Sequence, residues 1–259
     1  MSPDRSSPWM AVCALADTSR RSVIVTGASS GIGAAVSRLA EAAGWRVFGW
    51  DLRVDAPLLS DSRTHHVVDV TDPKQVDVAL DTVHELHGRP ADAVVHCAGV
   101  YRTGAAIEVA LEDWIDVVTV NLVGSFSVAR SCADRSIRAG APLAVVLLSS
   151  VASTRGDRVE PGSAYAASKG GIEALVRQLA VEWSEFGIRC NAVMPGVIDT
   201  PMTTITGSLH AAERLVERLP ARRFGRAEEV ASMCLYLLGE DAGYITGTTI
   251  AVDGGYTIS

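Results

Sequence analysis

A tyrosine and a lysine stand four residues apart in the segment Tyr165-Ala-Ala-Ser-Lys169. The segment has the pattern of a helix, so both side chains project from the same face. A free phenol has a pKa of about 10, and a nearby ammonium lowers that pKa by favouring the phenolate. The pair therefore predicts a tuned general acid/base. The same spacing occurs on ordinary helix surfaces, and what distinguishes this pair is its place after a glycine-rich turn, an asparagine and a serine.

The glycine-rich turn is Thr26-Gly27-Ala-Ser-Ser-Gly31-Ile-Gly33, and it joins the first predicted strand to the first predicted helix. Glycines let the backbone approach a pyrophosphate, and a helix N-terminus offers unpaired N–H groups and the positive end of its dipole. After a strand near the N-terminus, this spacing predicts a dinucleotide site. A plain turn between a strand and a helix is the alternative.

Asp51 ends the second predicted strand. A carboxylate there can accept hydrogen bonds from the adenosine ribose and repels a 2′-phosphate. The insert Ala28-Ser29-Ser30 carries no basic residue that could receive such a phosphate. The pattern favours NAD over NADP, with Arg53 as the residue that could still turn towards a phosphate. The alternative for Asp51 is a turn residue at the end of a strand.

The composition fits a single domain with a large buried core. The chain has 259 residues, 48% of them hydrophobic, and a formal net charge of −7, which argues against a general nucleic-acid surface. No segment approaches the roughly 20 apolar residues of a membrane-spanning helix. Five scattered cysteines, an odd number, indicate reduced thiols in a cytoplasmic protein. His84 and His87 could share a helical face, but a solvated helix explains them better, and we predict no metal site.

The first residues differ from the rest of the chain. We expect residues 1–20 to form an N-terminal extension, either disordered or lying on the body, and residues 21–259 to form a single domain. The triplet Ala14-Leu15-Ala16 resembles a signal-peptide cleavage site. The apolar run around it is short, and Asp4 accompanies Arg5 before it, so export is the less favoured alternative.

Strand and helix patterns alternate along the chain, which predicts an α/β fold with a doubly wound parallel sheet between two helical layers. Asp72 and Pro73 have the pattern of an N-cap and the first position of a helix. The predicted strands are 22–26, 46–51, 65–70, 92–96, 143–150, 189–194 and 248–252. The predicted helices are 31–43, a helix after Asp72, 111–139, 163–186 and 225–238.

From about residue 21 onwards the chain closely resembles the short-chain dehydrogenase/reductase family. Several motifs carry the resemblance in the family's order: the glycine turn, Asp69-Val70, Ala98-Gly99, Asn121, Ser149-Ser150, Tyr165 with Lys169, Pro195-Gly196 and Val252-Asp253-Gly254-Gly255. The resemblance implies a single-domain Rossmann fold with a mostly seven-stranded parallel sheet. It also implies a dehydrogenase or reductase that transfers a hydride between a nicotinamide cofactor and a secondary alcohol or ketone.

The resemblance assigns four catalytic residues. Tyr165 would exchange a proton with the substrate oxygen, and Ser150 would orient that oxygen. Lys169 would bind the nicotinamide ribose and lower the pKa of Tyr165, and Asn121 would hold a water that links Lys169 to solvent. A helix-packing asparagine and a strand-end hydroxyl are the structural alternatives for Asn121 and Ser150. The residues implied in cofactor binding are Gly27, Ser29, Ser30, Gly31, Ile32, Gly33, Asp51, Asp69, Val70, Ala98, Gly99, Tyr165, Lys169, Pro195, Gly196, Ile198 and Thr200.

The chain departs from the family pattern in two places. His96-Cys97 replaces two asparagines, and we interpret His96 as structural. The spacing from Ser150 to Tyr165 is two residues longer than usual, within the charged loop 154–161. If that loop shifts the register, Ser149 competes with Ser150 for the site.

The substrate is less defined than the chemistry. The predicted pocket walls are residues 100–103, 151–160 and 197–209, and their distinctive side chains are Tyr101, Arg102, Arg155, Arg158 and Met202. A 3-oxoacyl-acyl-carrier-protein reductase using NADPH is the alternative function, and a non-catalytic, cofactor-binding regulatory protein is a second one.

Two further expectations concern assembly and motion. The resemblance implies a homotetramer that pairs the helices 111–139 and 163–186, with residues 245–259 at another interface. Residues 200–220 are predicted to form a lid whose second half, 209–219, is an amphipathic helix.

Overall fold

A computed structural model of the protein describes residues 20–53, 62–158, 160–203 and 209–259. Seven parallel strands form one sheet in the order β3-β2-β1-β4-β5-β6-β7, which confirms the predicted doubly wound architecture. The strands are β1 Ser22–Thr26, β2 Arg46–Asp51, β3 Arg63–Val67, β4 Ala93–His96, β5 Leu143–Leu148, β6 Ile188–Pro195 and β7 Thr249–Val252. The predicted extension, residues 1–20, lies outside the described residues except for its last one.

The described residues contain seven α-helices. They are α1 Gly31–Ala42, α2 Pro73–His87, α3 Leu111–Val118, α4 Gly124–Ala139, α5 Ser163–Glu182, α6 Leu209–Arg218 and α7 Ala227–Leu238. The predicted cap of α2 is confirmed, because the Asp72 carboxylate accepts the Lys74 N–H at 2.9 Å and Pro73 opens the helix.

Alternation of side chains along the strands divides the core into two layers. In β1, Ile24 faces one side of the sheet, where the buried residues of α2, α4 and α5 pack. Val23 and Val25 face the other side and pack with α1 and α7. Because both faces are covered, the central strand β5 is buried along its whole length, as its apolar sequence predicts.

Several predicted boundaries are wrong, and three of the differences have clear physical reasons. The third strand ends at Val67, not at residue 70, because its pairing with β2 finishes at Asp51. The predicted helix 111–139 contains a π-helical turn, Thr119–Val123, between α3 and α4. The last helix begins at Ala227 because Gly225–Arg226 pairs with Ile198–Asp199 in a short two-stranded ribbon.

A charged cluster lies at the amino-terminal edge of the sheet. The Asp92 carboxylate accepts the Ser22 N–H at 2.7 Å, binds the Arg89 guanidinium and lies 3.7 Å from Nε2 of the buried His87. Burial alone would raise the pKa of Asp92, but its interactions with His87, Arg89 and Ser22 outweigh burial and hold that pKa well below its usual range. The cluster is far from the carboxyl ends of the strands, so we assign it to stability.

Within the described ranges, no helix has both the length and the apolar character needed to cross a bilayer. The histidines, cysteines and carboxylates of the same ranges form no group of three that could hold a metal ion.

Candidate active site

The main cavity opens at the carboxyl ends of the strands and has a volume of about 660 Å³. It straddles β1 and β4, where successive crossovers change direction, and such switch points are where open α/β sheets bind ligands. Ser29 and Asn121 are the predicted site residues that do not line it. The predicted site residues on its wall are Gly27, Ser30, Gly31, Ile32, Gly33, Asp51, Asp69, Val70, Ala98, Gly99, Ser150, Tyr165, Lys169, Pro195, Gly196, Ile198 and Thr200.

The turn between β1 and α1 needs its glycines for two reasons. Gly27 and Gly31 have φ angles of +65° and +50°, in the left-handed region that favours glycine. A Cβ on Gly33 would lie 2.2 Å from the Gly27 carbonyl oxygen, so no side chain fits there. The side chain of Ser30 makes no capping hydrogen bond to α1. The turn therefore has the close backbone and the helix N-terminus that a pyrophosphate requires.

Asp51 is held in place at the end of β2 by two main-chain hydrogen bonds. Its carboxylate oxygens accept the Ser29 N–H at 3.0 Å and the Arg53 N–H at 3.2 Å. The Asp69 carboxylate accepts the N–H and the hydroxyl of Thr71 at 2.9 and 2.7 Å. Ser29 thus contacts Asp51 rather than the cavity, and the Asp51 carboxylate is oriented at the cavity wall.

The segment after β6 closes the opposite side of the cavity. A Cβ on Gly196 would lie 2.6 Å from the Cα of Asp253, so the terminal Asp-Gly-Gly motif packs directly against Pro195-Gly196. Ile198 is buried, and the Thr200 hydroxyl lies 3.2 Å from that of Thr203. In the predicted lid, residues 204–208 lie outside the described residues, and its second half forms α6, whose Leu215 lines the cavity. Movement of this segment stays a prediction.

Tyr165 and Lys169 both lie in α5 and reach the cavity. The Lys169 Nζ lies 5.6 Å from the Tyr165 ring centroid and donates to the Leu148 carbonyl oxygen at 2.7 Å. Burial lowers the pKa of Lys169 to about 8, although the nearby Cys97 acts in the opposite direction. The lysine therefore remains largely protonated at neutral pH.

The pKa of Tyr165 differs from the sequence-based expectation. Burial raises this pKa above its ordinary value, and a hydrogen bond with Ser150 acts in the opposite direction. The net shift is opposite to the predicted one, because desolvation of the phenol outweighs the interactions that favour the phenolate. Tyr165 is thus a protonated phenol at neutral pH, able to donate to a substrate oxygen.

The two adjacent serines after β5 point in different directions. The Ser149 hydroxyl turns towards α5 and donates to the Glu173 carboxylate at 2.8 Å and to the Lys169 carbonyl oxygen at 3.2 Å. The Ser150 hydroxyl accepts the Ala152 N–H at 3.2 Å, which caps the short 3₁₀ turn that follows. Of the two, Ser150 is the serine that interacts with Tyr165.

Asn121 occupies the π-helical turn between α3 and α4 and is fully buried. Its side chain accepts the Val100 N–H at 2.8 Å and donates to the Val100 carbonyl oxygen at 3.0 Å and to the Ser168 hydroxyl at 3.1 Å. These bonds tie the loop after β4 to α5 beside Lys169. They agree with the structural alternative for the side chain, and a water relay through Asn121 stays a prediction.

His96 is buried behind the cavity wall. Its Nδ1 lies 3.0 Å from the Thr26 hydroxyl oxygen, which also accepts the Ala98 N–H at 3.0 Å. Burial, followed by the positive charge of Lys169, lowers the pKa of His96 to about 3, so the ring is neutral. His96 therefore connects the ends of β1 and β4 and does not face the cavity.

The substrate end of the cavity contains residues that the sequence indicated only in part. Of the five distinctive side chains, Tyr101, Arg155 and Met202 line the cavity. Arg102 instead forms ion pairs with two carboxylates of α3, and Arg158 is an exposed residue off the wall. Tyr256 was missed, although an aromatic residue directly after the terminal glycine pair was the available signal.

Comparison with known proteins shows the family and the fold. The family model described as enoyl-(acyl carrier protein) reductase matches residues 27–257. The 3-oxoacyl-[acyl-carrier-protein] reductase FabG of Thermotoga maritima is 36% identical over 246 residues, covering 91% of this chain and 97% of that protein. The D-threitol dehydrogenase of Mycolicibacterium smegmatis is 33% identical over 243 residues, covering 91% and 92%. The crystal structure of gox2181 superposes with a TM-score of 0.88 at 30% identity, covering 97% of this chain and all of that one.

The fold and the cavity define a dinucleotide-dependent oxidoreductase, since the glycine turn and Asp51 line a cavity at the switch point of a doubly wound sheet. The chain belongs to the short-chain dehydrogenase/reductase family. It is an oxidoreductase of CH–OH groups that uses a nicotinamide cofactor and acts on secondary alcohols or ketones. Its relatives carry names with different substrates, so membership of the family does not define the alcohol.

Proposed function

We propose that Tyr165 is the general acid/base of an alcohol dehydrogenase or ketone reductase. When bound, the nicotinamide supplies or receives the hydride of the reaction. In ketone reduction, Tyr165 donates its phenolic proton to the oxygen that gains negative charge, and in alcohol oxidation the phenolate accepts that proton. Ser150 donates to the same oxygen and orients it. The observation that carries this proposal is the partly buried Tyr165 side chain on the cavity wall, with Ser150 on the same wall.

Lys169 and Asn121 complete the proposed catalytic group. The Lys169 ammonium binds ribose hydroxyls and stabilises the phenolate that forms when Tyr165 gives up its proton. A Cβ added to Gly99 would lie 3.1 Å from the Asn121 Oδ1 and 3.9 Å from the Lys169 Nζ. Asn121 and Lys169 therefore lie side by side against the backbone of Gly99. Through this position Asn121 orients Lys169. A water held near Asn121 would return a proton from solvent to the Lys169 side chain.

We propose NAD as the cofactor, with NADP as the less favoured one. The cofactor-binding residues are those that the sequence predicted, with Ser29 acting through its hydrogen bond to Asp51. The fixed Asp51 carboxylate supports NAD, because it would lie against the 2′-phosphate of NADP. Calorimetric titration should give a lower Kd for NADH than for NADPH. Asp51→Ala should narrow that difference, whereas Arg53→Ala should not. A lower Kd for NADPH with the unmodified protein would overturn the assignment.

The test of the activity is the oxidation of a panel of secondary alcohols with NAD and with NADP. The rate of oxidation is measured from the absorbance of the reduced nicotinamide that forms. The alternative function, a 3-oxoacyl-acyl-carrier-protein reductase, is favoured by the likeness to FabG of Thermotoga maritima. Preference for NADPH and for acyl thioesters in that panel would establish the alternative. A non-catalytic regulatory role would require no turnover with any alcohol, and the complete Asn-Ser-Tyr-Lys group argues against it.

We also propose a homotetramer in the cytoplasm. Large apolar side chains are exposed on the predicted pairing helices: Leu111 and Phe126 on α3 and α4 are 66% and 41% exposed, and Val181 on α5 is 74% exposed. Burying such surface in a partner is favourable. Light scattering should give four chains per particle, and a stable monomer at micromolar concentration would contradict this. The four described cysteines are free thiols, which supports a reducing compartment.

A further inference from the structure

The loop between Ser150 and Tyr165 forms the outer wall of the catalytic end of the cavity. Its side chains Arg155, Asp157 and Glu160 all line the cavity. The Asp157 carboxylate accepts the Glu160 N–H at 3.1 Å, which fixes the turn that brings Glu160 inward. This loop is therefore part of the substrate site, and two of its three charged side chains on the cavity wall are acidic.

Tyr101 connects Glu160 to the catalytic tyrosine. The rings of Tyr101 and Tyr165 meet edge to face, with centroids 4.8 Å apart and an interplanar angle of 78°. The Tyr101 hydroxyl donates to the Glu160 carboxylate at 3.3 Å. Burial, followed by the charge of Glu160, raises the pKa of Tyr101 well above its usual value. The Glu160 carboxylate and the protonated Tyr101 phenol thus lie next to Tyr165, on the side where its proton would be exchanged.

The two cations among the described cavity-lining residues are Arg155 and Lys169, and both already have acceptors. Arg155 donates to the carbonyl oxygen of Ser259 at 2.9 Å and to that of Tyr256, and its guanidinium lies 4.8 Å from the Tyr256 ring centroid. Lys169 donates to the Leu148 carbonyl oxygen. Among the described side chains that line this end of the cavity, an anionic substrate would meet two carboxylates and no uncommitted cation. A substrate rich in hydroxyl groups would instead donate hydrogen bonds to those carboxylates.

We propose that the substrate is a neutral, polyhydroxylated alcohol or the corresponding ketose, with a hydroxyl near the reacting carbon bound by the Glu160 carboxylate and the Tyr101 hydroxyl. This inference rests on the proposed function, because Tyr165 must exchange a proton with the oxygen on the carbon next to that hydroxyl. Glu160 and Tyr101 are then residues that determine specificity, and Arg155 positions the loop through its contacts with the C-terminal turn.

The test compares neutral alditols with anionic alcohols. Initial rates with NAD are measured for a panel of alditols, for the corresponding aldonates and for 3-hydroxyacyl thioesters of coenzyme A. We expect kcat/KM for the best alditol to exceed that of its aldonate by about tenfold or more, because a charge-assisted hydrogen bond is replaced by repulsion. Glu160→Gln should raise KM for the alditol about tenfold with little change in kcat, and should reduce the preference over the aldonate.

Glu185→Gln is the matched control, since it removes the same charge from an exposed position outside the cavity. It should leave KM unchanged, and NADH titration of both variants checks that the cofactor site is intact. Higher kcat/KM for the aldonates or thioesters, or an unchanged KM for the alditol in Glu160→Gln, would overturn the inference. The proposed function would still stand in that case if Tyr165→Phe abolishes the turnover that is found. Turnover of no alcohol by a protein that binds NADH would overturn both.

Discussion

Replacement of Gly33 by alanine tests whether the glycine turn is built for close backbone approach. In this turn an alanine Cβ would lie 2.2 Å from the Gly27 carbonyl oxygen and 2.7 Å from its carbonyl carbon. Both atoms belong to the backbone, so no rotation of a side chain can relieve the overlap. The first turn of α1 would have to move away from the loop after β1, where we place the pyrophosphate.

Two opposing terms determine the size of this effect. Alanine is favoured over glycine within a helix by about 1 kcal/mol. Overpacking of a close contact typically costs about 1–3 kcal/mol, and an overlap with rigid backbone belongs at the upper end of that range. We therefore expect Gly33→Ala to lower the free energy of unfolding by about 1–2 kcal/mol. We expect Kd for NADH to rise about tenfold or more, since tenfold corresponds to about 1.4 kcal/mol.

Urea unfolding gives the change in stability, and titration of NADH fluorescence gives the change in Kd. Gly170→Ala is the matched control, because that glycine also lies inside a helix and its Cβ would meet nothing closer than the Ser153 carbonyl oxygen at 4.0 Å. This control should be neutral or stabilised by up to about 1 kcal/mol, with NADH affinity retained. Equal stability and equal NADH affinity in the two variants would refute the reasoning.

Three further predictions concern single side chains. Asp92→Asn should lower the free energy of unfolding by about 2 kcal/mol at neutral pH. The Asp92 carboxyl has a lower pKa in the folded than in the unfolded protein, so its contribution to stability is lost as the pH falls below about 4. In urea titrations, the difference in unfolding free energy between the wild type and Asp92→Asn should therefore shrink below that pH. NADH affinity should weaken as the pH rises through about 8, where Lys169 loses its proton, and titrations of Lys169→Met should show no such dependence. Ser150→Ala should reduce kcat by at least about tenfold, whereas Ser149→Ala should mainly lower the melting temperature; the reverse pattern would show that the site was misplaced.

The fold was predictable because its signals are local and repeated. Apolar strands, caps such as Asp72-Pro73 and the glycine turn each determine a neighbouring element, and together they define the layers. The predicted third strand, 65–70, lies too far along the chain because it follows the apolar residues. In the structure β3 is an edge strand that pairs on one side only, so the polar residues 63–66 form most of it and the apolar Val68 and Val70 lie beyond its end.

The site was less predictable where it depends on contacts across the fold. A π-helical turn at Asn121 has no short-range signal, since it depends on how α3 and the turn itself pack against α5. The direction of the pKa shift at Tyr165 depends on burial, which the spacing of the motif does not reveal. The contact of Tyr101 with Glu160 joins residues 59 positions apart. Motif spacing therefore indicated the chemistry, and tertiary packing determines the substrate wall.

The most direct test of the central claim is turnover by Tyr165→Phe. This change removes the phenolic oxygen and keeps the ring that packs against Tyr101. We expect kcat for the best secondary alcohol to fall by at least about a thousandfold, because the proton has no other acceptor at the reacting oxygen, while Kd for NADH stays within about twofold. A Tyr165→Phe enzyme that binds NADH normally and keeps most of its turnover would contradict the account.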